Sequence, residues 1–257
     1  MKLLIGLPSA GAMTAPFLES LAKLHLPERV TELDRCVVTG NFIPAQRELI
    51  LEEAIAREFD VVVMIDDDMV VPDNAFDLLL GALEDDPQTA LAGALYYSRD
   101  GLRPMAVDRW NGEDTTTALV PAFDERNASV VDGVGFGCAA IRVSALAELE
   151  RPYLSAHIVI QRAQRMVRIT DEDYLFCERL RKAGWRIRLH GGVRCHHYDR
   201  TTKRAFPEKW EDAAVTSRPR MYVRTEQGGE ALIEPDDSLP CGREEHSPAT
   251  FEYVRVD

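Results

Sequence analysis

Short apolar runs alternate with helical patterns along the first hundred residues of the chain. An apolar run at 2–7 precedes a pattern with Phe17 and Leu21 at helical spacing, and a second run at 35–38 precedes another helical pattern around Leu49. A third run covers 61–65, and then a helix is predicted at 74–83 and a strand at 90–95. This β-α-β-α-β order predicts an α/β fold with a doubly wound, mainly parallel central sheet and right-handed crossovers.

The alternation of strand and helix patterns becomes irregular after Tyr97 and returns later in the chain. Three glycines within five positions predict a bend in the segment 130–141, where the backbone passes close either to a ligand or to a neighbouring strand. A helix is predicted at 173–183, ended by Gly184, with strands near 186–189 and 193–197. From Glu226 onward the chain becomes acidic, and this shift in composition predicts a hairpin-like C-terminal appendage.

The third apolar run leads directly into three carboxylates, Asp66, Asp67 and Asp68. Three adjacent carboxylates at the end of a buried strand repel one another unless a cation or hydrogen-bond donors compensate. Hard oxygen ligands suit Mn²⁺ or Mg²⁺, and open α/β sheets bind ligands at the carboxyl ends of their strands. If the strand continues, Asp66 and Asp68 face one way and Asp67 the other. A solvated acidic turn is the alternative interpretation.

Composition narrows the possible partners and the compartment. The chain has 257 residues, of which 46% are hydrophobic, and a formal net charge of −13. This charge argues against a broad nucleic-acid surface, since phosphate backbones attract cationic faces. No apolar run approaches the ~20 residues of a membrane span. Five scattered cysteines predict reduced thiols in a cytoplasm. The oligomeric state is not readable from the sequence.

Further along the chain, Asp171-Glu172-Asp173 stands at a predicted helix start, and His196-His197 follows later. Together with the acidic strand end and the glycine bend, this ordered set resembles the GT-A nucleotide-sugar glycosyltransferases, in particular glycosyltransferase family 2. The resemblance covers about residues 1–200. It implies a GT-A (Rossmann-like) domain with a donor-binding half at 1–97 and an acceptor-binding half at 98–200, followed by an extension at 201–257.

The resemblance also implies an activity, which is transfer of a sugar from a nucleoside diphosphate-sugar, UDP-sugar favoured, to a hydroxyl acceptor with inversion. Asp68, Asp66 and His197 are then expected to hold Mn²⁺ or Mg²⁺, which stabilises the departing nucleoside diphosphate. Asp173 is the expected base that deprotonates the acceptor, and Glu172 is expected to orient acceptor or base. The alternative for the acidic trio is that it only caps the helix.

The nucleotide end of the expected site is formed by residues that follow the first two strands. These are Pro8, Ser9 and Arg47, with Asp66 and Asp67 beside the donor. Glu48 stands where the family usually has Asn. Two basic clusters are candidates to attract a diphosphate, or else to be solvated faces. They comprise Arg162, Arg165 and Arg168, and Arg200, Lys203 and Arg204.

Three other functions fit parts of the pattern. Asp66-x-Asp68 fits the nucleophile motif of haloacid dehalogenase-type phosphatases, with Asp66 phosphorylated, although the other elements of such a site cannot be assembled here. Nucleotidyltransferases share the fold, but the first loop lacks their glycine-rich, lysine-containing phosphate cradle. A catalytically inactive GT-A-like scaffold is the non-enzymatic alternative.

Overall fold

The structure is a computed structural model, and it describes most of the first 210 residues and short strands beyond them. The described residues are 1–99, 103–108, 119–120, 124, 126–155, 157–161, 166–170, 172–210, 220–224, 230–233 and 252–254.

The described strands, in chain order, are β1 (Lys2–Ser9), β2 (Glu32–Thr39), β3 (Val61–Ile65), β4 (Met69–Val70), β5 (Thr89–Leu95), β6 (Ala106–Val107), β7 (Leu119–Val120), β8 (Ala128–Val131), β9 (Gly133–Val134), β10 (Cys138–Arg142), β11 (His157–Gln161), β12 (Met166–Thr170), β13 (Arg186–Arg194), β14 (His196–Asp199), β15 (Arg204–Phe206), β16 (Arg220–Arg224), β17 (Glu230–Ile233) and β18 (Glu252–Val254). The described helices are α1 (Ala15–Lys23), α2 (Ile43–Ala56), α3 (Ala75–Glu84), the 3₁₀ helix Val143–Glu148 and α4 (Glu172–Lys182).

A seven-stranded central sheet has the order β2-β1-β3-β10-β5-β13-β8. The pairs β1–β2, β1–β3 and β5–β13 are parallel, which confirms the predicted mainly parallel sheet. The glycine-rich segment contributes one of two exceptions, because it leads into β10, which lies antiparallel between β3 and β5. Edge strand β8 is also antiparallel.

The sheet is covered on both faces, as expected for a doubly wound fold. All five residues of β3 are buried, which is why that strand has no polar position before its acidic end. One apolar cluster includes Ile50 and Leu51 of α2, and the other includes Phe17 of α1 and Phe76 of α3. Two apolar layers therefore fix the sheet from opposite sides and hold the end of β3 in place.

The later elements agree with the prediction in type and differ in extent. Helix α4 covers Glu172–Lys182, and Gly184 follows with a φ of +93°, the left-handed conformation that ends helices. The two predicted strands at 186–189 and 193–197 are instead β13, which continues through Gly191-Gly192, and the separate β14. Strands β16 and β17 pair antiparallel. Strand β17 lies within the expected C-terminal appendage, and β16 precedes it.

None of the helices in the described part of the chain is both long and apolar enough to cross a membrane.

The cysteines of the described residues are free thiols, namely Cys36, Cys138, Cys177 and Cys195. Cys241 lies outside the described residues. Burial raises the pKa of Cys177 to about 12, so this thiol is not a nucleophile at neutral pH.

Candidate active site

The three consecutive aspartates lie in a turn, and each one contacts a different arginine. Strand β3 ends at Ile65, and the Met69 N–H donates to the Asp66 carbonyl at 3.1 Å. The alternation expected for an extended strand therefore does not apply. Asp67 and Asp68 are 7% and 2% exposed, so the solvated-turn interpretation is wrong. Arginine donors supply the compensation that three adjacent carboxylates require.

Arg47 joins Asp66 to Glu172. Its Nη2 donates to both carboxylate oxygens of Asp66 at 2.8 and 2.9 Å, and its Nη1 donates to Glu172 Oε1 at 2.6 Å. Burial alone would lower the pKa of Arg47, but Asp66, Glu172 and Asp173 raise it above its usual value. This guanidinium is therefore a permanent cation between the two expected halves of the site.

Asp67 is bound from the side of the first strand. It accepts a hydrogen bond from Ser9 Oγ at 2.6 Å and one from the Ala10 N–H at 3.2 Å, and Arg200 donates to its other oxygen. Ser9 itself is 1% exposed. The contacts fix the loop after β1 against the acidic turn, and they bring one residue of the second basic cluster to the site.

Asp68 lies between Arg99 and His197. Arg99 Nη2 donates to Asp68 Oδ2 at 2.5 Å, and His197 Nε2 lies 3.4 Å from the same oxygen. Burial would raise the pKa of Asp68, but the contacts with His197 and Arg99 hold this pKa below its usual value. Asp68 is therefore an ionised, buried carboxylate.

The two adjacent histidines point to different surroundings. His197 Nδ1 contacts the Tyr97 carbonyl at 3.1 Å, whereas His196 Nδ1 contacts the Pro207 carbonyl at 2.7 Å. His196 also packs edge-on against Trp210, with 5.8 Å between ring centroids. Only His197 of this pair contacts an aspartate of the acidic turn in the described structure.

The glycine bend packs around a tyrosine ring. A Cβ on Gly135 would lie 2.1 Å from Tyr96 Oη, and a Cβ on Gly137 would lie 2.7 Å from Tyr96 Cζ. The Gly137 N–H donates to Tyr96 Oη at 3.0 Å, and the Gly137 carbonyl accepts from the Asp66 N–H at 3.0 Å. Of the two interpretations of these glycines, packing against a neighbouring side chain is the one that the contacts support.

Glu172 and Asp173 open α4 but occupy different positions. Glu172 contacts Arg47, whereas Asp173 Oδ2 accepts from the Phe136 N–H at 3.3 Å and Asp173 is 6% exposed. Both carboxylates lie at the N-terminus of α4, where the helix dipole favours negative charge. Phe136 belongs to the glycine bend, so the bend connects Asp173 with the acidic turn.

A cavity of about 480 Å³ opens at this end of the sheet. Its volume is within the range of small-ligand sites. The expected site residues that line it are Pro8, Arg47, Asp66, Asp67, Asp68 and Glu172, and the others in its wall include Arg99, Asp199, Arg200 and Thr201. Ser9, Asp173 and His197 do not line it, although Ser9 contacts Asp67 and His197 contacts Asp68. One cavity thus collects residues from β1, α2, the acidic turn and α4.

Sequence reasoning did not find Arg99 or Tyr96. Arg99 stands in a stretch without periodicity, and Tyr96 has the sequence appearance of an ordinary aromatic residue at the end of a strand.

Some of the predicted candidates cannot be placed. Outside the described residues lie Arg162, Arg165 and Asp171, and the side chain of Arg168 does too. Trp185 packs against the apolar core. Both oxygens of Asp66, the nucleophile of the phosphatase alternative, accept from Arg47.

Asp68 and His197 present a pair of atoms that suits a cation. Because its Nδ1 faces the Tyr97 carbonyl, the neutral form of His197 has its lone pair on Nε2, and Arg99 Nε lies 3.2 Å from that atom. The guanidinium thus sits on one carboxylate oxygen and one imidazole nitrogen, which is a donor set that Mn²⁺ or Mg²⁺ also accepts. Among the described residues, no cluster of three or more acidic, His or Cys side chains is poised for a metal.

This fold and this site define a class of protein, the GT-A glycosyltransferases. Residues 35–220, more than half of the chain, match the family described as glycosyltransferase like family 2. The chain belongs to that family, which confirms the expected class of enzyme. No curated protein matches the sequence at a significant level.

Two solved structures resemble the protein in fold. Protein A197 from STIV has a TM-score of 0.54 and 16% identity, over 96% of this chain and 100% of that one. GalNAc-T7, solved with UDP, GalNAc and Mn²⁺, has a TM-score of 0.54 and 11% identity, over 81% of this chain. The alignment spans only 45% of the GalNAc-T7 chain. At these identities the two likenesses show a shared fold.

Proposed function

We propose that the protein is a metal-dependent, inverting glycosyltransferase that moves a sugar from a UDP-sugar to a hydroxyl acceptor. The observation that carries the proposal is the cavity lined both by Asp68, which contacts His197, and by Glu172 at the acidic start of α4. Family membership supports sugar transfer, and the complex of GalNAc-T7 with UDP, GalNAc and Mn²⁺ supports the choice of UDP and of the ion.

Asp68 and His197 would hold Mn²⁺ or Mg²⁺. A divalent ion there would neutralise negative charge on the departing diphosphate. Asp66, the third expected ligand, is bound to Arg47 and would act on the ion through water. Arg200, which lies in the cavity wall, adds positive charge where an anionic donor must enter. Pro8 lines the cavity beside the acidic turn, and Ser9 orients Asp67 from behind. These contacts would place the nucleotide along the end of β1.

The acceptor side would be served by the two acidic residues of α4. Asp173, whose carboxylate accepts from the Phe136 N–H of the glycine bend, is assigned as the base. Glu172 is ion-paired with Arg47, which weakens it as a base, so it is assigned to orient the acceptor. The present hydrogen bonds of Asp173 and Glu172 do not exclude either one as the base, because hydrogen bonds at active sites often rearrange when the substrate binds.

The proposed site draws on both proposed halves of the domain, and the ion would be held by one residue from each, Asp68 and His197. Arg47 and Asp66 come from 1–97, the proposed donor-binding half, whereas Glu172 and His197 come from 98–200, the proposed acceptor-binding half. The extension at 201–257 has no assigned role. A cytoplasmic location is proposed on the four free thiols of the described residues.

The product released from UDP-sugars, with water as acceptor, tests the proposal. UDP as the product, formed only with Mn²⁺ or Mg²⁺, is the expected result. Free phosphate would instead indicate the phosphatase alternative, and donor binding without any product would indicate an inactive scaffold.

A further inference from the structure

Arg99 donates to the same two atoms that the proposed function gives to the divalent ion. Its Nη2 lies 2.5 Å from Asp68 Oδ2, and its Nε lies 3.2 Å from His197 Nε2. The contact with His197 uses the only lone pair of Nε2, and the contact with Asp68 places the guanidinium on the neighbouring carboxylate oxygen. Guanidinium and ion therefore cannot occupy the pair of atoms together.

The two acceptor atoms are fixed by contacts that do not involve Arg99. The Asp68 side chain is 3% exposed, and its backbone carbonyl accepts from the Tyr198 N–H at 2.8 Å. His197 is oriented by the Tyr97 carbonyl, and its ring packs edge-on against Tyr96 with 5.8 Å between centroids. Removal of the guanidinium would leave this pair in place.

Arg99 itself is far less constrained than the atoms that it binds. Its side chain is 65% exposed, whereas the side chain of Arg47, which binds the neighbouring aspartate, is 6% exposed. An exposed guanidinium can exchange a carboxylate for water at little cost. Arg99 can therefore break its contact with Asp68 and turn into solvent without disturbing the core.

We propose that Arg99 is the internal competitor of the divalent ion and sets the metal affinity of this site. The inference rests on the proposed function, since the ion is the one that the donor diphosphate would share. When the ion enters, Arg99 must swing out from Asp68 and His197. A bound nucleoside diphosphate offers the released guanidinium a new anionic partner, so nucleotide and metal should bind with positive coupling.

Titration of Mn²⁺ alone, followed by the electron paramagnetic resonance signal of the free ion, tests the proposal on the full chain. Arg99→Met should bind Mn²⁺ at least roughly tenfold more tightly than the unmodified protein, because it removes two competing hydrogen bonds that a charged group donates. Arg200→Met is the matched control, because Arg200 lines the same cavity with the same charge but contacts Asp67. Its effect on Mn²⁺ affinity should be much smaller. Asp68→Asn combined with Arg99→Met should lose the gain.

Equal Mn²⁺ affinity in Arg99→Met and Arg200→Met would overturn the inference, as would a gain that survives Asp68→Asn. Thermal unfolding of each variant without metal checks that the fold is intact. UDP binding is measured separately on the unmodified protein. If UDP binds but Arg99→Met leaves Mn²⁺ affinity unchanged, the inference fails alone; if Mn²⁺ binds more tightly to the variant but UDP does not bind, the proposed function fails alone.

Discussion

Arg47 Nη1 and Glu172 Oε1 lie 2.6 Å apart although 125 positions separate them in the chain. The same guanidinium holds both oxygens of Asp66. A carboxylate from the end of β3 and one from the start of α4 therefore share a single buried cation. The donor and acceptor sides of the proposed site are tied together by this contact.

Replacement of Arg47 should destabilise the fold because it leaves two carboxylates unpaired in a largely buried place. We expect Arg47→Met to lower the free energy of unfolding by about 2–4 kcal/mol, as the removal of one partner of a buried ion pair does. Urea unfolding measures the change. Arg57→Met is the control, since Arg57 follows the same helix and pairs with Asp34 and Glu53 at the surface. An equal loss in both variants would contradict the role given to Arg47.

Ser9 is expected to stabilise the acidic turn through its hydrogen bond to Asp67. Ser9→Ala removes a buried donor at 2.6 Å from a carboxylate, so it should cost about 1–2 kcal/mol of unfolding free energy. Ser20→Ala is matched to it, since Ser20 is also buried but donates to the Phe17 carbonyl within its own helix. We expect that control to cost clearly less in the same urea titration. If Ser9→Ala is as mild as Ser20→Ala, Ser9 does not support the acidic turn.

The glycine bend predicts opposite effects for two alanine substitutions. Gly135→Ala places a Cβ 2.1 Å from Tyr96 Oη, so we expect a loss of about 1–3 kcal/mol by overpacking. Gly81→Ala lies inside α3 with no atom within 4 Å of its new Cβ, so it should gain about 0.5–1 kcal/mol.

Tyr96→Phe added to Gly135→Ala removes the nearest clashing atom. The double variant should recover part of the lost stability in thermal unfolding. A Gly135→Ala protein as stable as the unmodified one would show that the bend does not depend on the tyrosine ring.

The two acidic residues of α4 are distinguished by kinetics. Asp173→Asn should lower kcat for UDP release by about 10²-fold or more, since general base catalysis contributes that much. Glu172→Gln keeps the size of the side chain and should act mainly on KM. The rate of UDP release from a UDP-sugar, with and without Mn²⁺, gives both values. The reverse order of effects would exchange the two roles.

Local patterning was enough to find the elements that position the site. The buried run of β3, the acidic turn and the glycine-ended helix α4 are each encoded within a few neighbouring residues. The antiparallel position of β10 was not predicted, because it depends on packing between β3 and β5, which are far from it in sequence. Periodicity carries no information about such an insertion.

The sequence indicated the candidate site residues better than it indicated which residues they contact. The sequence indicated Arg47 and Glu172 separately, but their pairing depends on the approach of α2 to α4. Arg99 gave no signal, since a single arginine in an irregular stretch has the same sequence appearance as a solvated one. Its role depends on the Tyr97–His197 contact, which only the fold creates.

The central claim is that Asp68 and a divalent ion bind a nucleoside diphosphate in this cavity. Isothermal titration of the purified protein with UDP, GDP, CDP and dTDP, each with and without Mn²⁺, tests it most directly when repeated on Asp68→Ala. We predict that UDP binds, and that its binding requires both Mn²⁺ and Asp68. Absence of nucleotide binding under every condition, or UDP binding that is the same in Asp68→Ala, would contradict the account.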